Sequence, residues 1–292
     1  MKYKIRLTIT HEYNQSAANS RHLISVVPKF IANRQQLSSH ILEVFPEPDT
    51  RAQVTDFYGN TQVFCTLREF HSEMSIRLNC HVEVMPPLAW FDLSPSVSEL
   101  RHSWQTSRDL GADSPLHYLG PTRRLVQDAA IGWFAQEVFD HGASTAANVI
   151  NIGRALHDAM TFDSSATTVD TDASEAFALR RGVCQDFSHI MILALQSLGI
   201  PAGYVSGYLR TLPPEGGVKL EGADAMHAWV RAWCGPQQGW IEYDPTNATL
   251  VGTDHIVVGY GRDYSDVSPV RGQLRSSGGQ KNAQAVDVAI IG

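Results

Sequence analysis

Cys184 is the residue of this chain whose setting would best activate a side chain for chemistry. It lies in the run Arg180-Arg181-Gly182-Val183-Cys184-Gln185-Asp186-Phe187-Ser188-His189, where a polar loop gives way to an apolar helix. Phe187, Ile190, Met191, Ala194, Leu195 and Leu198 recur at helical spacing, and Gly199 and Pro201 close the helix. The pattern predicts Cys184 in the first turn, where unpaired N–H groups and the positive end of the helix dipole favour a thiolate. A thiolate is a nucleophile. The plain alternative is a small buried hydrophobe, a common use of free cysteine.

A cysteine nucleophile needs an imidazole to take its proton and a third group to orient that imidazole. The stretch 225–233, which contains His227, alternates as a strand does, and the stretch 239–245, which contains Asp244, reads as a second strand. Cys234-Gly235-Pro236-Gln237-Gln238-Gly239 lies between them as a turn. A hairpin centred on Gly235 and Pro236 sets His227 opposite Asp244, with Cβ atoms about 5 Å apart. A slip of one residue would put the two side chains on opposite faces, and the turn chemistry alone leaves the register open. Pro245 has no N–H for a ladder, so the strand is expected to end at Asp244.

Taken in order, Gly182-Val183-Cys184-Gln185-Asp186 opening a helix, Met226-His227-Ala228-Trp229, and Trp240-Ile241-Glu242-Tyr243-Asp244-Pro245-Thr246-Asn247 resemble the bacterial transglutaminase-like superfamily, whose members are often described as cysteine proteases. Gly261-Arg262-Asp263-Tyr264-Ser265-Asp266-Val267-Ser268-Pro269 is similar to a segment these proteins carry near the C-terminus, and the N-terminal portion resembles the β-rich domain before their core. The resemblance spans the whole chain. It implies a papain-like core in which Cys184 is the nucleophile, His227 the base and later the acid, and Asp244 the residue that holds the imidazole.

The chain has 292 residues, enough for two cores, and 43% of them are hydrophobic. No apolar run approaches the roughly 20 residues that span a bilayer, and Met1-Lys2-Tyr3-Lys4-Ile5 leads into alternation instead of a signal-peptide core. A cytoplasmic location is the resulting expectation. A net charge of −7 and the lack of a basic run give no support to nucleic-acid or membrane partners, so the expected partner is a peptide or protein substrate. Oligomeric state is not legible.

Several other features have bland readings that suffice. Cys65 and Cys80 fall in alternating strands as half-buried apolar residues, and Cys234 has no following helix to activate it. A Cys65–Cys80 disulfide would be unusual in the cytosol. No C-x-x-C pair or H-E-x-x-H occurs, so no metal is expected. Asp163, Asp170 and Asp172 border a Ser/Thr-rich loop without the ligand spacing of an EF-hand. Gly259-Tyr260-Gly261-Arg262-Asp263-Tyr264 lacks the third glycine of a dinucleotide loop, and no cofactor is expected. His189, on the Cys184 helix itself, is assigned to packing.

Residues Tyr3, Ile5, Leu7 and Ile9 alternate with Lys4, Arg6, Thr8 and Thr10, as do Met74 to Val84 with their polar neighbours, so the N-terminal part is read as antiparallel β structure. Gly59-Asn60 between two β-prone runs signals a hairpin. Helical spacing at Leu125, Ala129 and Phe134, and at Val149, Ile152, Leu156 and Met160, comes next, and strands follow the Cys184 helix. The fold class is α+β. The expected divisions are a β-sandwich-like domain at 1–93, a connection at 94–121 and a transglutaminase-like core at 122–292; the stretch 283–290 could add an edge strand.

A Cys184 thiolate would attack an amide carbonyl, with the backbone N–H at the helix start stabilising the oxyanion and His227 protonating the departing amine. Water acting on the resulting thioester gives hydrolysis of peptide or isopeptide bonds, the leading expectation. A lysine amine gives a protein-glutamine γ-glutamyltransferase, and a noncatalytic binding module is the third reading. Trp229, Tyr208, Trp240 and Tyr264 are candidate cleft walls, with core packing as the simpler alternative.

Overall fold

The computed structural model describes residues 1–87, 91–211, 225–276 and 278–291. Strands β1 (Lys2–Ile24), β2 (Gln35–Phe45), β3 (Thr50–Thr55), β4 (Thr61–Leu67) and β5 (His71–Val84) come first. Helices α1 (Val97–Thr106), α2 (Ala129–Val138) and α3 (Thr145–Ala159) follow, then β6 (Thr161–Phe162), α4 (Ala173–Leu179), β7 (Arg181–Gly182) and α5 (Cys184–Ser197). After these run β8 (Ala202–Leu209), β9 (Ala225–Trp233), β10 (Trp240–Asp244), β11 (Thr249–Leu250) and β12 (His255–Gly261). The short helix α6 (Tyr264–Val267) and strands β13 (Val270–Arg275) and β14 (Gln280–Ile290) complete the order. This is the expected α+β class, with helices packed on an antiparallel sheet. No helix among the described residues is long and apolar enough to cross a membrane.

Strand β1 serves two layers. Its first half pairs with β5 and β14, and its second half with β4 and β13, the β5 register shifting between Glu12 and Ala17. Alternation puts Tyr3, Ile5 and Leu7 inside, where they meet Met74, Ile76 and Leu78 of β5 and Val63, Cys65 and Leu67 of β4 in one core. The β3–β4 hairpin turns at Gly59, whose φ is +74°. Asn60 beside it is freed to bond elsewhere.

A second sheet runs in the order β11-β10-β9-β8-β12. Helix α5 covers it: Phe187, Ile190, Met191 and Ala194 share a core with Ala228, Val230 and Ala232 of β9 and with Tyr204 and Tyr243. The edge strand β12 is closed by two side-chain amides from the N-terminal part. Gln35 Nε2 donates to the Val257 carbonyl (2.7 Å) while its Oε1 accepts the Val257 N–H (2.8 Å). Asn60 does the same at Tyr260, at 2.7 and 2.9 Å. Each amide imitates a neighbouring peptide and removes unpaired groups from the edge.

The segment read as a connection is structured. Helix α1 begins at a Ser96/Glu99 capping box, buries Val97 and Leu100 in the helical core, and caps the end of α5. Arg101 Nη2 donates to the Leu198 carbonyl (2.6 Å) and Trp104 Nε1 to that of Gly199 (3.1 Å). Strands β13 and β14, although last in the chain, return to pair with β1, and Val286 and Val288 join the N-terminal core. The two sheets also share packing through Tyr208, Ile256 and Val258.

Candidate active site

Cys184 is the first residue of α5, preceded by Val183 in an extended conformation. Valine has no side-chain acceptor for a cap. Asp186 instead reaches back, its Oδ2 accepting the Val183 N–H (2.8 Å) and the Thr167 hydroxyl (2.7 Å). Gly182 makes room for this: a Cβ there would lie 2.5 Å from Asp186 Oδ2. Burial raises the Asp186 pKa, and these two bonds oppose the rise. The turn is tied further by Gln185 Nε2 to the Val169 carbonyl (3.0 Å) and by the Ser188 hydroxyl to the Cys184 carbonyl (2.8 Å). Cys184 is partly exposed, whereas Cys65, Cys80 and Cys234 are buried, and none of the four is in a disulfide. Burial pushes the Cys65 and Cys80 thiols up to about 11 and about 12, and Cys234 higher still.

His227 and Asp244 come together on the β9–β10 hairpin, at 2.7 Å between Nε2 and Oδ2. They are diagonal neighbours, not the direct pair expected. The ladder runs Trp240↔Trp233 to Tyr243↔Val230, which continues to place Asp244 beside Trp229 and His227 one step further along the same face. The reason is a wider turn. Cys234 N–H bonds to the Gly239 carbonyl and Gly239 N–H to that of Gly235, both at 2.8 Å, with Gly235 and Gly239 at φ +99° and +71°. The displacement is even, so both side chains keep to one face.

Asp244 is completely buried. Its Oδ2 accepts from His227, from Asn247 Nδ2 (2.7 Å) and from His255 Nε2 (3.1 Å), while Oδ1 accepts the Thr246 and Asn247 N–H groups at 2.9 and 3.2 Å. Burial alone would favour the neutral acid; the donors outweigh it and hold the carboxyl far below the usual range. Burial likewise opposes a charged His227 ring. The charge of Cys184 and hydrogen bonds with Asp244 and Cys184 overcome this and raise the His227 pKa to about 10. With Nε2 engaged by Asp244, Nδ1 is the nitrogen left to take the thiol proton.

A buried ionic layer backs the hairpin. Trp229 Nε1 donates to Glu242 Oε2 (2.7 Å), Tyr260 OH donates to Oε1 (2.9 Å), and Arg34 from the N-terminal part grips both oxygens, Nη2 to Oε2 at 2.8 Å and Nη1 to Oε1. Burial would raise the Glu242 pKa, yet the Arg34 guanidinium pulls it down to about 2. The Trp229 ring lies over Gly207, which pairs with His227 across β8 and β9; a Cβ at Gly207 would come within 2.3 Å of that ring.

Of the residues singled out in the sequence, Cys184, His227 and Asp244 converge. Trp229 and Tyr208 do not line a cleft: both are completely buried, Trp229 against Glu242 and Tyr208 with its hydroxyl on the Val26 carbonyl (2.6 Å). Trp240 stands at the opposite end of β10 from Asp244, with the Arg231 guanidinium 3.9 Å from its ring centre. Tyr264 is half-buried and near Cys184. Burial first, and then negative neighbours that include Cys184, raise its pKa, with Arg124 acting the other way. His189 is buried, its pKa lowered by burial to about 4, and its Nε2 accepts the Tyr264 N–H (3.2 Å), which fits a packing role. Among the described residues no group of His, Cys, Asp and Glu is disposed to hold a metal ion.

Asn247, His255, Glu242 and Arg34 are the contributors that sequence reasoning passed over. Asn247 had a signal, since Asp-Pro-Thr-Asn favours a turn in which the Asp side chain bonds the backbone two residues on. His255 and Arg34 reach the site through tertiary contacts, and nothing in their local spacing marks them.

Comparison with known proteins shows the family and the fold. Residues 134–245 match the transglutaminase-like superfamily and residues 3–83 the bacterial transglutaminase-like N-terminal region. An uncharacterized protein of Mycobacterium tuberculosis is 32% identical over 99% of this chain and 89% of its own length, and one from Mycobacterium leprae is 32% identical over 77% of each. The chain belongs to the transglutaminase-like superfamily. The crystal structure of a proposed cysteine protease from Cytophaga hutchinsonii has the same fold, with a TM-score of 0.75, 22% identity, and coverage of 99% of this chain and 90% of that one.

Proposed function

We propose that this protein is a cysteine-dependent amide hydrolase acting on peptide or isopeptide bonds. The observation that carries the proposal is the position of His227, coupled to the Cys184 thiol on one side and bonded to a buried, ionised Asp244 on the other. The thiol proton passes to His227 Nδ1, and the thiolate adds to the substrate carbonyl. The first-turn N–H of Cys184 donates to the oxyanion. Collapse of the tetrahedral intermediate breaks the C–N bond, His227 gives its proton to the departing amine, and a thioester remains. His227 then takes a proton from water as the oxygen attacks, releasing the acid and restoring the thiol.

A primary amine attacking the same thioester would make the protein an acyltransferase. Glutamine and lysine-isopeptide peptides offered to the wild type and to Cys184→Ala, with and without excess primary amine, test the reading. Free acid formed by the wild type alone, with amine present, is the expected result. Amine adducts in place of acid would move the assignment to transfer, and equal activity in Cys184→Ala would remove it.

A further inference from the structure

His255 is a buried ring that the mechanism above does not use. It opens β12, which is separated from β10 by β9 and β8 in the sheet order, and only the curl of the sheet and the short link from β11 bring it to Asp244. Its side chain is 6% exposed. Nε2 lies 3.1 Å from Asp244 Oδ2, the oxygen that also receives His227 at 2.7 Å, and Nδ1 has no hydrogen-bond partner. The Trp229 ring stands edge-on to it, 5.2 Å between centroids at 80°.

We infer that His255 is a positioning residue for the triad: by donating Nε2–H to the oxygen shared with His227, it disperses the Asp244 charge and limits how strongly that carboxylate holds a proton on His227. Because Asp244 is ionised, the proton in the 3.1 Å contact must come from the histidine. Every N–H donated to a carboxylate lowers its basicity, and a less basic carboxylate stabilises a neighbouring imidazolium less. A general acid that must release its proton to the leaving amine gains from that restraint. The titratable groups around the cluster are Asp244 from β10, His227 from β9, Cys184 from α5, and Asp254 beside His255. Asp254 is held by Arg210 (2.7 Å) and by the Tyr3 hydroxyl (3.0 Å), so its charge is already engaged.

The inference rests on the proposed role of His227, and its test separates the two. The rate of Cys184 alkylation by iodoacetamide is followed against pH, and its upper inflection reports loss of the His227 proton. In His255→Phe, and in His255→Met, whose flexible side chain fills the space if the ring is not accommodated, that inflection should rise by about one pH unit. His255→Gln, whose amide nitrogen replaces Nε2, should return it to the wild-type position. An upper inflection unchanged in folded His255→Phe or His255→Met overturns the inference alone. A wild-type profile with no inflection that His227→Ala removes overturns the role of His227, and this inference with it.

Discussion

Asp244 faces His227 diagonally across the β9–β10 hairpin, and one of its oxygens collects three side-chain donors while the other collects two backbone N–H groups. An amide cannot replace this carboxylate. In Asp244→Asn the NH2 group must face either the His227, His255 and Asn247 donors or the two N–H groups. The His227 ring should lose its orientation, and Cys184 alkylation at neutral pH should slow by about two orders of magnitude or more, with an unchanged circular dichroism spectrum. Wild-type alkylation rates in this variant would contradict the role given to Asp244.

Arg34 is the longest-range contributor, holding a carboxylate two residues before Asp244. Arg34→Ala takes from Glu242 its bonded countercharge, leaving only Arg231 nearby, and should cost roughly 3 kcal/mol, the low end for a buried pair because Arg34 is itself 33% exposed. Arg34→Met combined with Glu242→Gln removes both charges, keeps an acceptor for Trp229 or Tyr260, and should cost less than Arg34→Ala alone. Urea denaturation of the three proteins checks the order.

Acid stability follows from the same pair. Glu242 titrates from an ordinary 4.5 down to about 2 when folded, so the unfolded chain binds the proton first as pH falls. Its contribution is complete above pH 4.5 and is lost as pH falls toward 2. Glu242→Gln has no such proton to bind, and its urea midpoint should depend less on pH through this window than that of the wild type.

Gly207 and Gly252 provide a matched contrast. A Cβ at Gly207 would meet both the Trp229 ring and the Ile256 carbonyl at 2.3 Å, whereas one at Gly252 would meet nothing within 4 Å. Gly207→Ala should destabilise by about 1–3 kcal/mol and slow Cys184 alkylation by disturbing the strand opposite His227. Gly252→Ala should stay within about 0.5 kcal/mol of wild type. Thermal melts of both variants test the pair.

The sequence was informative where the determinants are local. Helical spacing from Phe187 to Leu198 located the first turn of α5 at Cys184, and alternation located β9 and β10. The register of the hairpin was not legible, because it depends on whether Gly235 and Gly239 both adopt positive φ. Aromatic character likewise could not separate cleft from core. Tyr208 is buried because the N-terminal core packs on it, and Trp229 because Val257, Tyr260 and the Ile31 segment close over it, and such long-range contacts leave no periodic trace. For the same reason the return of β13 and β14 to β1 and the capping of α5 by Arg101 and Trp104 emerged only in three dimensions.

The central claim is that His227 activates one thiol of four. Limited iodoacetamide at neutral pH, with mass-spectrometric mapping of Cys65, Cys80, Cys184 and Cys234 in the folded wild type and in His227→Ala, measures it most directly. The account predicts label on Cys184 almost alone in the wild type and a fall of at least about tenfold in its rate in His227→Ala. Equal labelling of Cys184 in the two proteins would contradict it.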